Sequence, residues 1–231
     1  MNDPLSVIKA AKEFGIDSII IAYSSGKDSL AVLDLCVKHF KRVQPYFMYL
    51  IKDLDFQEVH LRYVESKYAT KIIRVPDWRL CKIMKSGVAR HLTPNTESMP
   101  SVRWADVENY IRHKTGLHWI ASGESQFESL ARRGMIQSSK NGIDIPRGHI
   151  YPVGYWKRQE IESYLSFHEI MIPCEYRVMT SKRSFGGILM DEMFDIRKHY
   201  PNDYAKIKKL FPLADTQAIR YETALEEENQ G

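Results

Sequence analysis

Short apolar runs rich in β-branched and aromatic residues alternate with stretches whose apolar positions fall three and four apart over the first 160 residues. The first pattern suits buried strands and the second suits helices that hide one face. Ile19–Tyr23 reads as a buried strand and Ser29–Phe40 as a largely buried helix. Pro45–Ile51 is the next strand, and Asp55 to about Tyr68 is helical, opened by Asp55 with Glu58 three residues on in the manner of a capping box. Lys71–Val75 is a third strand, ended by Pro76. Val102–Lys114 is a helix with Trp104, Val107 and Ile111 on one face and Gly116 as its stop. Leu117–Ala121 and His149–Val153 complete the strands, Lys157–His168 is a further amphipathic helix, and Leu189–Phe211 is helical with a break at Pro201.

Strands separated by helices predict parallel pairing through right-handed crossovers. The expected fold is therefore α/β: a parallel five-stranded sheet with helices on both faces, followed by a helical C-terminal extension. Ligands in such sheets bind beyond the carboxyl ends of the strands. Three segments lie there: Ser24–Ser29, Lys52–Asp55 and Ser122–Arg133. Gly87–Pro100 and Gly134–Gly148 are expected as mobile loops, either of which could close over a site.

Composition narrows the class. The 231 residues are 44% hydrophobic and 27% charged, which is ordinary for a globular chain. No apolar stretch approaches the length of a membrane span, and Met1–Pro4 lacks a signal-like basic flank, so a cytoplasmic location without membrane attachment is expected. Cys36, Cys81 and Cys174 are widely spaced, which argues against a disulfide framework or a four-cysteine metal site. Cys36 is expected to be a buried structural thiol. The net charge is +4; Arg132, Arg133, Lys140, Arg147, Lys157 and Arg158 are among the basic residues of the second half, while Glu226–Glu228 read as a frayed acidic tail.

The segment Ser24-Ser25-Gly26-Lys27-Asp28-Ser29 lies between the first strand and its helix. Small residues let backbone N–H groups converge there, and the positive end of the following helix favours an anion. It is not a Walker A loop, because Asp28 follows Gly26-Lys27 and Ile21 stands where the first glycine belongs. It resembles the Ser-Gly-Gly-x-Asp-Ser signature of the PP-loop ATP pyrophosphatases, the adenine nucleotide alpha-hydrolase-like superfamily, with Ser25 in place of the first glycine. The resemblance implies that Ser24, Ser25, Gly26, Lys27, Asp28 and Ser29 hold the phosphates of ATP, and that Asp28 holds Mg²⁺.

A second segment, Gly123-Glu124-Ser125-Gln126-Phe127-Glu128-Ser129-Leu130-Ala131-Arg132, resembles the Gly-x-Arg-x-x-Glu-Ser-x-x-Arg stretch of the phosphoadenylyl-sulfate (PAPS) reductase and sulfate adenylyltransferase small-subunit family. Gly123, Glu128, Ser129 and Arg132 match, and Ser125 replaces an arginine. The resemblance runs to Gly187 and implies a nucleotide-binding α/β domain over residues 1–187 and a helical extension with an acidic tail over 188–231. Glu128, Ser129 and Arg132 would line the acceptor or α-phosphate side, with Lys27, Asp28 and Arg132 catalytic.

The departures carry weight. Reductases of this family place a catalytic cysteine near the C-terminus, and here no cysteine follows Cys174. Reduction is therefore disfavoured on the sequence alone. Lys182-Arg183 within Ser181–Gly187 offers either a second anion-binding turn or a basic surface loop. The leading expectation is an enzyme that cleaves ATP between the α and β phosphates to adenylylate an acceptor, in nucleic-acid or sulfur metabolism. The alternatives are a sulfonucleotide reductase-like enzyme using a partner's thiol, and a non-catalytic nucleotide sensor. A nucleotide substrate is expected throughout; a nucleic-acid or protein partner and a homo-oligomer are left open.

Overall fold

The structure, a computed structural model, describes residues 3–180 and 185–230. The chain opens with α1 (Pro4–Glu13), β1 (Ser18–Ala22), α2 (Lys27–His39), β2 (Arg42–Tyr49), α3 (Asp55–Lys67) and β3 (Ile73–Pro76). Then come α4 (Leu80–Lys85), α5 (Pro94–Glu97), α6 (Trp104–Thr115), β4 (Ile120–Ser122), α7 (Leu130–Ser138), β5 (Ile143–Asp144) and β6 (His149–Ile150). Five helices end it: α8 (Arg158–Phe167), α9 (Glu175–Val178), α10 (Met190–His199), α11 (Pro201–Leu210) and α12 (Ala214–Gln230).

The fold is α/β, with one six-stranded sheet in the order β3-β2-β1-β4-β6-β5. The pairs β1–β2, β1–β4 and β4–β6 are parallel, with Ile20 opposite Gln44 on one side and Ile120 on the other. Successive strand residues point to opposite faces, and Ile19, Ile20 and Ile21 are all fully buried. Both faces of the central strand are thus covered, as a parallel sheet requires.

The strand missed by sequence is β5, which runs antiparallel to β6 at the sheet edge. Two residues carry no periodicity; the positive φ angles of Asn141 and Gly142 turn the chain into β5, and that of Gly148 lies in the return to β6. The expected Gly134–Gly148 loop is corrected accordingly, since α7 runs through Gly134 and β5 follows. Within Gly87–Pro100, α5 forms one helical turn, closed by a reciprocal Thr93–Thr96 capping box. The acidic tail is not frayed: Glu226–Glu228 belong to α12, whose Ala214 and Ala218 are buried. Arg197 of α10 donates to Glu222 of α12 at 2.7 Å. Of the three residues placed on one face of the helix after Val102, Val107 and Ile111 are buried and Trp104 is 42% exposed.

The described chain divides into two compact units. The first comprises Met1–Phe47, Leu61–Arg74 and Glu108–Ile172; the second comprises Met48–His60, Val75–Val107 and Pro173–Gly231. In the first, α2 is buried almost all round, from Leu30 to Cys36. Its one acidic core residue, Asp34, accepts from Tyr68 Oη at 3.0 Å and Tyr164 Oη at 2.6 Å and pairs with Lys38 at 2.6 Å. A buried carboxylate needs such partners, and these ones fix α8 against α2. Cys36 is fully buried, and burial pushes its thiol well up.

The second unit has its own core, in which Phe56, Phe185, Met193, Ile196, Ile207 and Phe211 pack together. The start of α3 is capped from far away rather than by Asp55: the N–H groups of Asp55 and Phe56 donate to the buried Asp203 carboxylate at 2.8 and 3.1 Å. The Asp55 carboxylate pairs instead with Lys206 at 2.9 Å.

Glu175 is fully buried in this unit, and its Oε1 has no hydrogen-bond partner among the described residues. Burial raises its carboxyl from the ordinary 4.5 to about 7. The folded state therefore holds the proton more tightly than the unfolded chain. Stability from this group is fully present below about 4.5 and is lost as pH rises through about 7. The loss amounts to about 3 kcal/mol. Glu175→Gln is expected to leave stability at pH 5 nearly unchanged and to raise it at pH 8 relative to the parent. Denaturant melts at the two pH values check this, and parallel pH profiles for parent and variant would refute it.

Candidate functional site

The site begins where β1 ends. Gly26 supplies the N-cap of α2 and has no side chain to satisfy the first-turn N–H groups, of which that of Asp28 bonds its own carboxylate. Ser29 shapes the turn from within: its hydroxyl donates to the Gly26 carbonyl at 2.9 Å and accepts from the Ser24 N–H at 3.1 Å. The Ser24 and Ser29 hydroxyls also meet at 3.1 Å.

Ser25 explains the glycine that the motif places there. Its φ is 61°, in the left-handed region, where a side chain costs about 1–2 kcal/mol. It is fully buried, and its hydroxyl has no hydrogen-bond partner among the described residues. Lys27 is nearly buried and forms an ion pair with Glu162 of α8. Asp28 is more proton-retentive than usual because burial raises its carboxyl. A backbone hydrogen bond and the charges of Lys27, Arg158 and Arg132 pull the other way.

The second motif reaches this turn through one contact. A Cβ built on Gly123 would lie 2.7 Å from the Ser29 nitrogen and 2.8 Å from the Asp28 carbonyl carbon. Only glycine lets the chain leaving β4 lie against the first turn of α2. From there Glu124 accepts from Ser122 Oγ at 2.9 Å, and Arg132 pairs with Glu128 and approaches Glu124 at 3.9 Å. Burial raises the Glu128 carboxyl, with the negative charges of Asp28 and Glu124 adding to the effect and Arg132 opposing it.

All the residues of the two motifs are therefore in the first unit, where Asp28 lies within electrostatic reach of Lys27, Arg132 and Glu128, whereas Lys52–Asp55, expected at the same strand ends, belong to the second unit. Two members hold the scaffold. Ser129 is the N-cap of α7, accepting from the Arg132 N–H at 3.2 Å. Ser125, where the motif has arginine, is buried and donates to the Trp156 carbonyl at 2.8 Å. Lys182 and Arg183 lie outside the described residues. Among the described residues no three His, Cys, Asp or Glu side chains gather as a metal-binding group.

Sequence reasoning missed Glu124, Arg158 and Glu162. Arg158 and Glu162 are four apart on a helix and predictably pair, at 3.0 Å, yet nothing local shows that Glu162 also pairs with Lys27.

Residues 18–176 match the family model of the phosphoadenosine phosphosulfate reductase domain, well over half of the chain. The chain belongs to that family. Its members are nucleotide-handling enzymes, and the match spans every residue discussed above in the turn and in the Gly123–Arg132 segment. A search of the solved structures finds similarity to the crystal structure of phosphoadenylyl-sulfate (PAPS) reductase from Candida auris in its phosphate complex. The two share 14% identity at a TM-score of 0.48, over 74% of this chain and 82% of that one. Among curated proteins none matches. None of the helices in the described residues is long and apolar enough to cross a membrane.

Two substitutions test the geometry. Gly123→Ala forces a backbone displacement at the first turn of α2 and is expected to lower stability by about 1–3 kcal/mol. That corresponds to about 2–4 °C in Tm per kcal/mol for a chain of this size. Ser25→Gly relieves the left-handed strain and removes a buried hydroxyl, and these gains outweigh the added chain entropy of about 0.5–1 kcal/mol. It is expected to raise Tm of the ligand-free protein by about 2–4 °C. Calorimetry reads both, and a destabilised Ser25→Gly would mean that the serine side chain carries an interaction worth more than the strain.

Proposed function

We propose that this chain is a nucleotide-binding enzyme that cleaves ATP between the α and β phosphates and transfers the adenylyl group to an acceptor oxygen. The observation that supports the reading is the Gly123 contact, which sets the second motif against the Ser24–Ser29 turn, with the charge of Arg132 acting on Asp28. In the proposed reaction an acceptor oxygen attacks the α-phosphorus, the bridging α–β bond breaks, and pyrophosphate leaves with the electron pair. Lys27, the Ser24 hydroxyl and the turn N–H groups would bear the charge on the departing pyrophosphate, with Ser29 shaping the turn. Arg132 would do the same at the α-phosphate.

The charges around the turn favour a cation arriving with the nucleotide. Lys27, Arg132 and Arg158 contribute three positive charges against the four carboxylates of Asp28, Glu124, Glu128 and Glu162. Mg²⁺ characteristically binds one or two carboxylates together with substrate phosphates, so Asp28 beside a phosphate chain suits it. Asp28 would hold the ion, which when bound neutralises phosphate charge.

The family supports a second reading equally well. A sulfonucleotide could be reduced here by a partner protein's dithiol, which supplies two electrons and releases sulfite. The absence of a cysteine after Cys174 does not weigh against that route, since the thiol comes from the partner. Cys36 is too buried to serve.

Lys27→Ala and Asp28→Ala are each expected to weaken ATP binding at least tenfold, read by calorimetry with Mg²⁺ present. Pyrophosphate release from ATP against nucleic acids and small acids, with products identified by mass spectrometry, tests the transfer. Sulfite release from phosphoadenylyl sulfate with thioredoxin, and no pyrophosphate from any acceptor, would replace the first reading with the second. Unchanged ATP binding in both variants would remove the turn from the site.

A further inference from the structure

The carboxylate of Glu162 serves two cations at once. Its Oε1 takes the ion pair from Lys27 and also accepts from Arg158 Nε at 3.0 Å. The Lys27 side chain is 9% exposed, that of Glu162 44% and that of Arg158 66%, so the cluster runs from the buried base of the turn out to solvent. Arg158 reaches the turn electrostatically as well, since its charge acts on Asp28.

Its placement is built in. The segment before α8 is bonded to the second motif twice: the Gln126 N–H donates to the Gly154 carbonyl at 2.9 Å, and Ser125 Oγ donates to the Trp156 carbonyl at 2.8 Å. The position that the motif gives to an arginine is thus a buried serine whose hydroxyl pins the strand-to-helix segment leading to Arg158. A cation is delivered to the turn from a different element.

We propose that Arg158 is a second cation for the phosphate chain of the bound nucleotide, and that Glu162 holds Arg158 and Lys27 in place until that anion arrives. The proposal rests on the reading of Ser24–Ser29 as a phosphate-binding turn. A single carboxylate between two cations is a good place-holder: it keeps both side chains extended toward one point and lowers the cost of burying Lys27 while no ligand is bound. A phosphate chain offers more negative charge and more acceptor oxygens, and guanidinium groups match them in planar pairs. Glu162 then competes with the ligand for the same two donors. Removing it favours binding, while removing Arg158 opposes binding.

The test uses inorganic pyrophosphate and ATP as probes, and adenosine as a control without phosphate, in titration calorimetry on the full chain. Arg158→Gln is expected to weaken pyrophosphate and ATP binding about tenfold and to leave adenosine unaffected, with Arg158→Lys recovering part of the loss. Glu162→Gln is expected to strengthen pyrophosphate binding several-fold. Thermal melts without ligand should place Arg158→Gln within a few degrees of the parent, because its side chain is largely exposed. Pyrophosphate binding unchanged in Arg158→Gln, while Lys27→Ala abolishes it, overturns the role of Arg158 alone. A weaker Glu162→Gln overturns the place-holder. A parent that binds neither phosphate probe overturns the turn reading together with this one.

Discussion

The close approach of Gly123 to the backbone of Asp28 and Ser29 is the constraint on which the rest of the site depends. Two motifs nearly a hundred residues apart in sequence meet there with no room for a single carbon between them. The contact is possible because β1 and β4 are adjacent parallel strands, paired Ala22 to Ser122, so both chains leave the sheet at the same edge and level. A strand register is a long-range hydrogen-bonding pattern, and a slip of one residue would reverse every side chain. The fully buried Ile19, Ile20 and Ile21 make that slip expensive. Packing in the core thus sets the position of polar groups at the sheet edge.

Around that contact the charges are arranged in mutual check. Arg132 is held by Glu128 and Glu124, Lys27 and Arg158 by Glu162, and Asp28 sits among all three cations. Such a cluster has low net charge without ligand and strong local fields once a ligand displaces one partner. The Asp34 cluster two turns along α2 has the opposite character. Its carboxylate is buried and bound by Tyr68, Tyr164 and Lys38, and it serves to fix α8, which carries Glu162 and Arg158.

Several features were legible before the structure. The strand, turn and helix around Ser24–Ser29 follow from an apolar run, a cluster of small residues and a helical apolar pattern, all local. The break at Pro201 lies between α10 and α11, because proline opens a helix more readily than it continues one. Other features were not legible. Two-residue β5 is too short for a pattern to register. Glu226–Glu228 read as a frayed tail by charge, whereas buried Ala214 and Ala218 anchor the helix that contains them. Ser129 and Ser125 matched or departed from a ligand motif, yet one caps α7 and the other pins the Trp156 segment.

By itself the sequence determined the α/β class, the order of the principal strands and helices, and the Ser24–Ser29 turn with its Gly123–Arg132 companion. Those depend on interactions between residues a few positions apart, or on motifs contiguous in the chain. Tertiary structure alone decided that Glu162 meets Lys27 across 135 positions, that Asp203 caps α3 across 148, and that Ser25 occupies a left-handed backbone with its hydroxyl buried. Charges carry no address in a linear chain. Which of them meet is settled only when the sheet register and the helix packing are formed.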